Sequence, residues 1–438
     1  MNTSVQPQDL GITPQHGEQI YKKITLRLVP FLVFLFLLAW IDRVNVGFAK
    51  LSMLSDLQFS EAVYGLGAGI FFLGYFLFEV PSNLLLEKIG ARVTLARITF
   101  LWGITSMAMA FVKTEAMFYV LRFLLGVFEA GFFPGIVLYL TYWFPAKKRA
   151  KINGLFMTSF AIAGVVGGPL AGLIMSTMGG VAGYTDWQWL FIIEGIPSVI
   201  AAFFVLKFLP ATPKDAKFLS TTEQQFVVQA LCNEQHDHHK ETSFKKIFRN
   251  KQVWLLTLVY FCIVSGNATI AFWTPSVVQS LGIESKLTIG LISAIPFLIG
   301  TIAMVWNGWH SDLRGERRLH CGYATLIATL GLVGTAYFSG DFYATMICLT
   351  ISAIGILAAF PVFWSLPTMF LAGTAAAAGI AMINSFGNLA GFFAPYLIGY
   401  IKTATGSLAG GLYVVAFFEF IAFILLAFLI SEQKKTSS

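Results

Sequence analysis

Long apolar runs alternate with short polar gaps along this chain, and none of the runs shows a two-residue alternation. A helix needs roughly 20 apolar residues to cross a hydrocarbon core about 30 Å thick. Counted that way, the pattern predicts helices near 24–49, 61–82, 93–112, 116–140, 150–178 and 187–208. A second set follows near 252–281, 288–310, 320–338, 342–365, 373–401 and 409–430. The longest polar gap, Leu209 to Lys251, separates the sets. It opens with Pro210 and Pro213, and its Ser220-Thr221-Thr222-Glu223 stretch is a capping-box pattern that predicts a short helix in the loop. An outer-membrane barrel is excluded, because its strands alternate every second residue. The expected fold is an all-α membrane protein with twelve transmembrane helices. Its expected divisions are an N-terminal six-helix bundle (1–208), a cytoplasmic linker (209–251) and a C-terminal six-helix bundle (252–438).

Composition agrees. The 438 residues are 57% hydrophobic and only 12% charged, half the charge of an ordinary soluble domain. A soluble enzyme and a nucleic-acid binder are excluded despite the net charge of +7. The first ~20 residues are polar and lack a signal-peptide pattern, so the first span is read as an uncleaved helix. With the N-terminus inside, 23 lysines and arginines fall on the cytoplasmic side and only Lys50, Lys113, Lys286 and Lys402 outside. By the positive-inside rule both termini are expected in the cytoplasm. Cys232, Cys262, Cys321 and Cys348 are scattered, without a Cys-x-x-Cys pair. His236, His238 and His239 are read as incidental residues of a solvated linker rather than a metal tract. No metal or cofactor is expected.

The chain also repeats itself. Asn83, Glu87, Gly90 and Arg92 follow the second predicted span; Gly308, Asp312, Gly315 and Arg317 follow the eighth, each 225 residues on. A small residue lets neighbouring helices approach, the acid holds a basic partner or a helix N-terminus, and the glycine turns the chain. Glu87, Gly90, Arg92, Asp312, Gly315 and Arg317 are therefore candidate gating residues. A generic helical hairpin does not explain why spacing and chemistry recur together. Duplication into two pseudo-symmetric halves is the direct inference, and such parallel repeats belong to secondary transporters that rock about a midplane site.

An ionisable residue at mid-bilayer costs about 2.5–3.5 kcal/mol on insertion scales and is a functional hypothesis by default. The spans contain Asp42, Arg43, Glu79, Arg122, Glu129, Glu194 and Glu419. Arg122 and Glu129 are seven apart on one helix face, with Gly126 between them leaving room for a ligand or a partner helix. Asp42 and Asn45 share a face, with Arg43 rotated about 100° from Asp42. Buried acids can load and release a proton, and an arginine presents a fork suited to a carboxylate. Two acids and two arginines fit proton-coupled uptake of an organic anion; the competing reading is neutralised pairs that lock helices together. Glu194 lies before Gly195 and Pro197, and Glu79 lies two before Pro81, where freed backbone donors can satisfy a carboxylate. For these two the structural reading is favoured. Glu419 has no basic partner in sequence and is expected in a structural role or at the lipid interface. Asn384 and Asn388 face one way and are expected to point inward. Tyr75, Asn267, Trp273 and Trp364 can complete a pocket with an aromatic wall, against the alternatives of packing or an interfacial belt.

The acid–glycine–arginine loops resemble the loop motif of the major facilitator superfamily, and Gly164, Gly167, Gly168, Pro169 and Gly172 resemble its other common motif. More specifically, Ile41-Asp42-Arg43-Val44-Asn45-Val46-Gly47-Phe48-Ala49 is similar to the anion:cation symporter family. So are the stretches from Leu121-Arg122 through Gly126 and Glu129 to Pro134-Gly135, and Phe191-Ile-Ile-Glu194-Gly195-Ile-Pro197. Phe363-Trp364-Ser365-Leu366-Pro367 and Asn384-Ser385-Phe386-Gly387-Asn388-Leu389 complete the likeness. Within that family the chain looks most like bacterial permeases for tartrate, sugar acids such as rhamnonate, and 4-hydroxyphenylacetate. The resemblance implies that Asp42 and Glu129 carry the coupling proton and that Arg43 grips the substrate carboxylate. It also implies that Arg122 links the two acids and that Asn384 hydrogen-bonds the substrate. Asn83 departs from the glycine that usually opens the loop motif, which touches gating more than substrate choice.

The expected function is proton-coupled symport of a small organic anion into a bacterial cell. The partners are that anion, protons and the lipid bilayer of the inner (plasma) membrane, with no nucleic acid, and the chain is expected to be a monomer. Moving one charge across a potential is worth about 2.3 kcal/mol per 100 mV, so an anion carried with two protons gains from the potential too. The alternatives are anion or sugar-phosphate exchange, or efflux of another small molecule, on the same fold. A sugar-phosphate dianion calls for more cavity arginines than Arg43 and Arg122. A nutrient sensor would carry longer cytoplasmic extensions, and no enzymatic Ser/Lys dyad, His-Glu-x-x-His helix or Gly-x-Ser-x-Gly turn is present.

Overall fold

A computed structural model describes residues 13–235, 249–370 and 374–429. These residues are helical with no strand among them. The first half contains α1 (Pro14–Val44), α2 (Val46–Leu57), α3 (Glu61–Ile89), α4 (Ala91–Ala108), α5 (Glu115–Glu129), α6 (Phe132–Thr141), α7 (Ala146–Thr177) and α8 (Asp186–Phe208). After α9 (Thr221–Gln235) in the linker come α10 (Lys251–Ser280), α11 (Lys286–Arg314), α12 (Arg318–Tyr337) and α13 (Phe342–Phe363). The short α14 (Pro367–Phe370), α15 (Thr374–Asn388), α16 (Ala390–Thr405) and α17 (Ala409–Ile424) complete the second half. Among the described residues ten helices are long and apolar enough to cross a membrane. All twelve predicted spans coincide with helices, two six-helix bundles in sequence.

One predicted span is broken, the fourth, at Ala130-Gly131 between α5 and α6; α1 runs on into α2 through Asn45, and α15 into α16 through Leu389, with helical backbone angles. At the break Gly131 has φ +83, a left-handed backbone that glycine adopts without steric cost. Apolar runs carry no mark of such a break, because the residues on either side stay hydrophobic. The linker helix α9 does carry its predicted capping box: Ser220 N donates to Glu223 Oε2 at 2.7 Å and Glu223 N donates to Ser220 Oγ at 3.3 Å. Lys23 of α1 pairs with Glu223 at 3.0 Å, tying the linker to the first helix. His236, His238 and His239 lie outside the described residues.

The face that carries the start of α1 and the linker is called proximal below, and the opposite face distal. The halves meet along two helix pairs, α3 with α16 and α7 with α11. Small residues let the backbones touch. A Cβ on Gly168 would lie 2.7 Å from the Gly290 carbonyl oxygen, and one on Gly172 would lie 2.6 Å from that of Lys286. On the other seam Gly65, Gly69 and Gly399 are equally tight against Pro395, Phe392 and Glu61. The predicted glycine stretch of the fifth span is thus a contact with the other half.

Candidate functional site

The last turn of α1, just before Asn45, carries the residues that matter most. Arg43 forms an ion pair with Glu129, the last residue of α5. A helix C-terminus leaves carbonyls unsatisfied and favours a cation, so the break after Glu129 adds to the attraction. The Arg43 guanidinium lies 5.1 to 5.5 Å from the ring centres of Trp40, Phe71 and Tyr75. Its side chain is 19% exposed against 5% for Glu129, so in this intramembrane cluster the cation, not the acid, is the accessible partner. One face of a carboxylate-sized fork is therefore presented inside an aromatic box.

Asp42 points the other way, into the first half. Its carboxylate accepts from Trp102 Nε1 at 2.8 Å, Ser106 Oγ at 2.9 Å and Ser198 Oγ at 3.0 Å. α4 supplies two of these donors and α8 the third. Nothing in the hydropathy pattern marked Trp102, Ser106 or Ser198, since a serine or tryptophan in an apolar run carries no signal by itself.

Arg122 is fully buried. It donates from Nε to the Gly67 carbonyl at 3.1 Å and from Nη2 to that of Ala68 at 3.3 Å, and it lies over Phe71 at 5.2 Å. The two-turn spacing placed Arg122 opposite Glu129, yet the ion pair of Glu129 is with Arg43. Gly126 between them makes room for a helix: a Cβ there would collide with the Phe71 carbonyl of α3. The same packing draws the α3 carbonyls onto Arg122.

Glu79 is satisfied by side chains of the other half, accepting from Asn384 Nδ2 at 3.2 Å and Ser385 Oγ at 3.3 Å. Asn388 Nδ2 donates to Asn384 Oδ1 at 3.1 Å. Tyr260 of α10, not anticipated from sequence, packs on Trp364 at 4.8 Å between ring centres and lies against Gly387 of α15. Arg43, Tyr75, Glu79, Tyr260, Trp364, Asn384 and Asn388 thus form one polar and aromatic tract across both halves. Asn267 lies on α10 with its Oδ1 buried and without a donor.

Trp273 is elsewhere. It is fully buried at the distal seam, edge-on to Tyr64 at 5.2 Å and under Lys50 Nζ at 3.8 Å. Around it the distal lysines join the halves. Lys50 pairs with Glu61 at 2.6 Å and donates to Ser276 Oγ at 2.9 Å. Lys402 pairs with the same Glu61 at 2.5 Å, and Lys286 pairs with Asp186 and donates to Ser52 Oγ at 2.6 Å. A recess of about 540 Å³, lined among others by Ser52, Asp56, Asp186 and Lys286, borders this seam. The distal ends are closed on each other.

Among the loop candidates, Gly90 and Gly315 end α3 and α11 with φ +86 and +65. Arg317 Nη1 pairs with Asp312 Oδ1 at 2.5 Å, while Arg92 donates to the Leu206 carbonyl of α8. The Glu87 side chain lies outside the described residues. Glu194 and Glu419 are 4% and 0% exposed, and neither has a hydrogen-bond partner on either carboxyl oxygen. The expectation that proline-freed backbone donors satisfy Glu194 is corrected: α8 continues through Pro197 without opening. Glu419 faces the interior of its half rather than lipid.

Two bundles joined at glycine-lined seams, with charges held inside, define a multi-pass membrane transporter. Residues 32–395 match the Major Facilitator Superfamily, and the chain belongs to that family. It is 46% identical over 429 residues to a protein of Agrobacterium vitis named "Putative tartrate transporter", covering 98% of this chain and 95% of that one. It is 42% identical over 403 residues to a protein of Pseudomonas putida named "Putative metabolite transport protein NicT", covering 92% of each. In fold it matches a D-xylose–proton symporter with a TM-score of 0.75 at 16% identity, over 94% of this chain and 98% of that one.

Proposed function

We propose that this transporter takes up a small carboxylate anion of the tartrate kind together with protons, by alternating access, across a bacterial inner membrane. On this reading the protein works as a monomer, both termini are cytoplasmic, and the rocking bodies are residues 1–208 and 252–438 with 209–251 as linker. The observation that carries it is the Arg43–Glu129 pair in its aromatic box. An incoming carboxylate competes with Glu129 for the same guanidinium. Once displaced, Glu129 is a buried carboxylate without its cation, a state too costly to persist, and it takes a proton. Anion binding and proton binding are then one event. Asp42 supplies the second acid, Arg122 holds α3 and α5 in place beneath the pair, and Asn384 and Tyr75 contact the rest of the substrate. The names of the curated relatives support the substrate class.

The test is uptake of labelled tartrate into proteoliposomes under an inward proton gradient, with sugar acids and aromatic acids in parallel. Arg43→Ala loses both uptake and exchange, whereas Glu129→Gln loses gradient-driven uptake and keeps exchange. If no anion moves protons while a neutral or cationic compound does, the anion reading is overturned.

A further inference from the structure

The repeat spacing extends into the membrane. Glu194 and Glu419 are 225 residues apart, and so are Asp42 and Asn267. The sixth span of each half therefore carries a glutamate at the same place, and the first span of each half carries Asp42 in one copy and Asn267 in the other.

Both glutamates are buried against the corresponding first span. Glu419 Oε1 abuts Gly266 of α10 so closely that a Cβ there would collide with it; Gly266 is the neighbour of Asn267. Asn45, one turn beyond Asp42 on the first span, lies beside Glu194. Close packing fixes the position of Glu194: a Cβ on the adjacent Gly195 would lie 2.6 Å from Met107 Cγ and 2.9 Å from the Gly103 carbonyl of α4. One turn further along α8, Ser198 donates to Asp42. The two carboxyls of the first half thus face one buried space. They are built differently: Asp42 has three donors aimed at it, and Glu194 has only the Asn45 amide beside it. Trp102 Nε1 can only donate, so the environment of Asp42 suits a carboxylate and that of Glu194 suits a neutral acid.

Of the other elements packed against Glu194, α4 contributes the uncharged Trp102 and Ser106, and the charged residues of α2 are held elsewhere, Lys50 on Glu61 and Asp56 on Trp187 near the start of α8. The described basic residues of α7, Lys148 and Arg149, lie at the start of that helix. Around Glu419 the titratable neighbours are Cys262 of α10 and Cys321 of α12.

We propose that Asp42 and Glu194 share one proton and act as a second coupling site behind the Arg43–Glu129 pair, and that Glu419 with Asn267 is its silent copy. This rests on the proton-coupled reading. The transfer is balanced: water on the open side gives one proton to the Asp42 carboxylate by way of protonated Glu194, and water on the other side takes it back, so the pair cycles between one negative charge and none. Asn267 has no acid to offer Glu419, so that glutamate holds its proton throughout.

The test reads carboxyls directly and needs no substrate. In pH-difference infrared spectra of the lipid-reconstituted protein, Glu194→Gln removes a titrating protonated-carboxyl band. Glu419→Gln removes a band from the absolute spectrum and leaves the pH-difference spectrum as in wild type. Asp42→Asn makes the first half resemble the second and turns the Glu194 band pH-silent; this variant carries the test if Glu194→Gln does not fold. A pH-difference spectrum unchanged in Glu194→Gln or in Asp42→Asn, or equally altered in Glu419→Gln, overturns the proposal. In proteoliposomes with tartrate as probe, Glu194→Gln loses accumulation driven by the proton gradient and keeps tartrate exchange, and Glu419→Gln keeps both. If wild type carries no tartrate but the infrared bands behave as stated, the substrate reading falls and the shared-proton site stands.

Discussion

The ion pairs that join the halves at the distal face set how readily that face opens, and the structure allows the effect to be sized. Two pairs cross between halves: Glu61 with Lys402 and Asp186 with Lys286. Lys402 and Glu61 are 23% and 22% exposed, and Lys286 and Asp186 are 29% and 9%. Partly solvated pairs of this kind are worth up to about 1 kcal/mol each. They share no partner, one lying with α3 and α16 and the other with α8 and α11, so their effects should add. Lys402→Gln with Asp186→Asn then removes about 2 kcal/mol of distal closure, roughly a 30-fold shift in the equilibrium towards a distal-open state. Each single change gives about a fivefold shift. The Lys50–Glu61 pair lies within one half and survives in both states, so it does not contribute. The assay is electron–electron double resonance between spin labels at Ser55→Cys and Gln279→Cys, with the native cysteines replaced. Both positions are exposed, one in each half. A longer-distance population that grows in the singles and dominates in the double is expected. A double variant with the distance distribution of the parent would overturn this, because closure would then rest on the glycine seams and on the contacts of Lys50 with Ser276 and Trp273.

Gly126→Ala drives a methyl into the Phe71 carbonyl; backbone has little room to yield, so overpacking of about 1–3 kcal/mol should appear as a lower Tm in detergent. Trp102→Phe keeps the ring and deletes the Nε1 donor to Asp42, a bond to a charged acceptor worth about 1.5–3 kcal/mol; the pH profile of tartrate exchange should move while the Arg43-dependent affinity holds. Glu223 is subject to opposing forces: burial disfavours its charge, but the Ser220 amide and Lys23 outweigh it and hold the carboxyl below its ordinary value. A depressed value means that the tie between α9 and α1 is fully present above the ordinary carboxylate range and is lost as pH falls through the lowered one. The protection factors of the amides over residues 221–235, each rate taken relative to the intrinsic rate at that pH, should therefore fall in acid in wild type, and should be low and pH-insensitive in Glu223→Gln.

The spans were legible because lipid leaves a helix one option: all of its backbone hydrogen bonds made within an apolar run of sufficient length. The break at Ala130-Gly131 was not, since it depends on what packs beside it. Pairing was harder for the same reason. Helical spacing set Arg122 and Glu129 on one face, but the close α3–α5 contact at Gly126 gave Arg122 backbone carbonyls, and Glu129 pairs with Arg43 of α1 instead. The lysines left outside in the charge count looked incidental, yet three of the four sit in the contacts that close the distal face. A lysine embedded between Phe48-Ala49 and Leu51 was the available signal. The acids of the sixth and twelfth spans looked like unrelated exceptions when each was weighed alone. The 225-residue spacing already visible in the loops relates them, and it relates Asp42 to Asn267 as well. One substitution between copies, acid to amide, then separates a carboxyl that can pass its proton on from one that cannot, and locates the asymmetry of a duplicated machine in its first half.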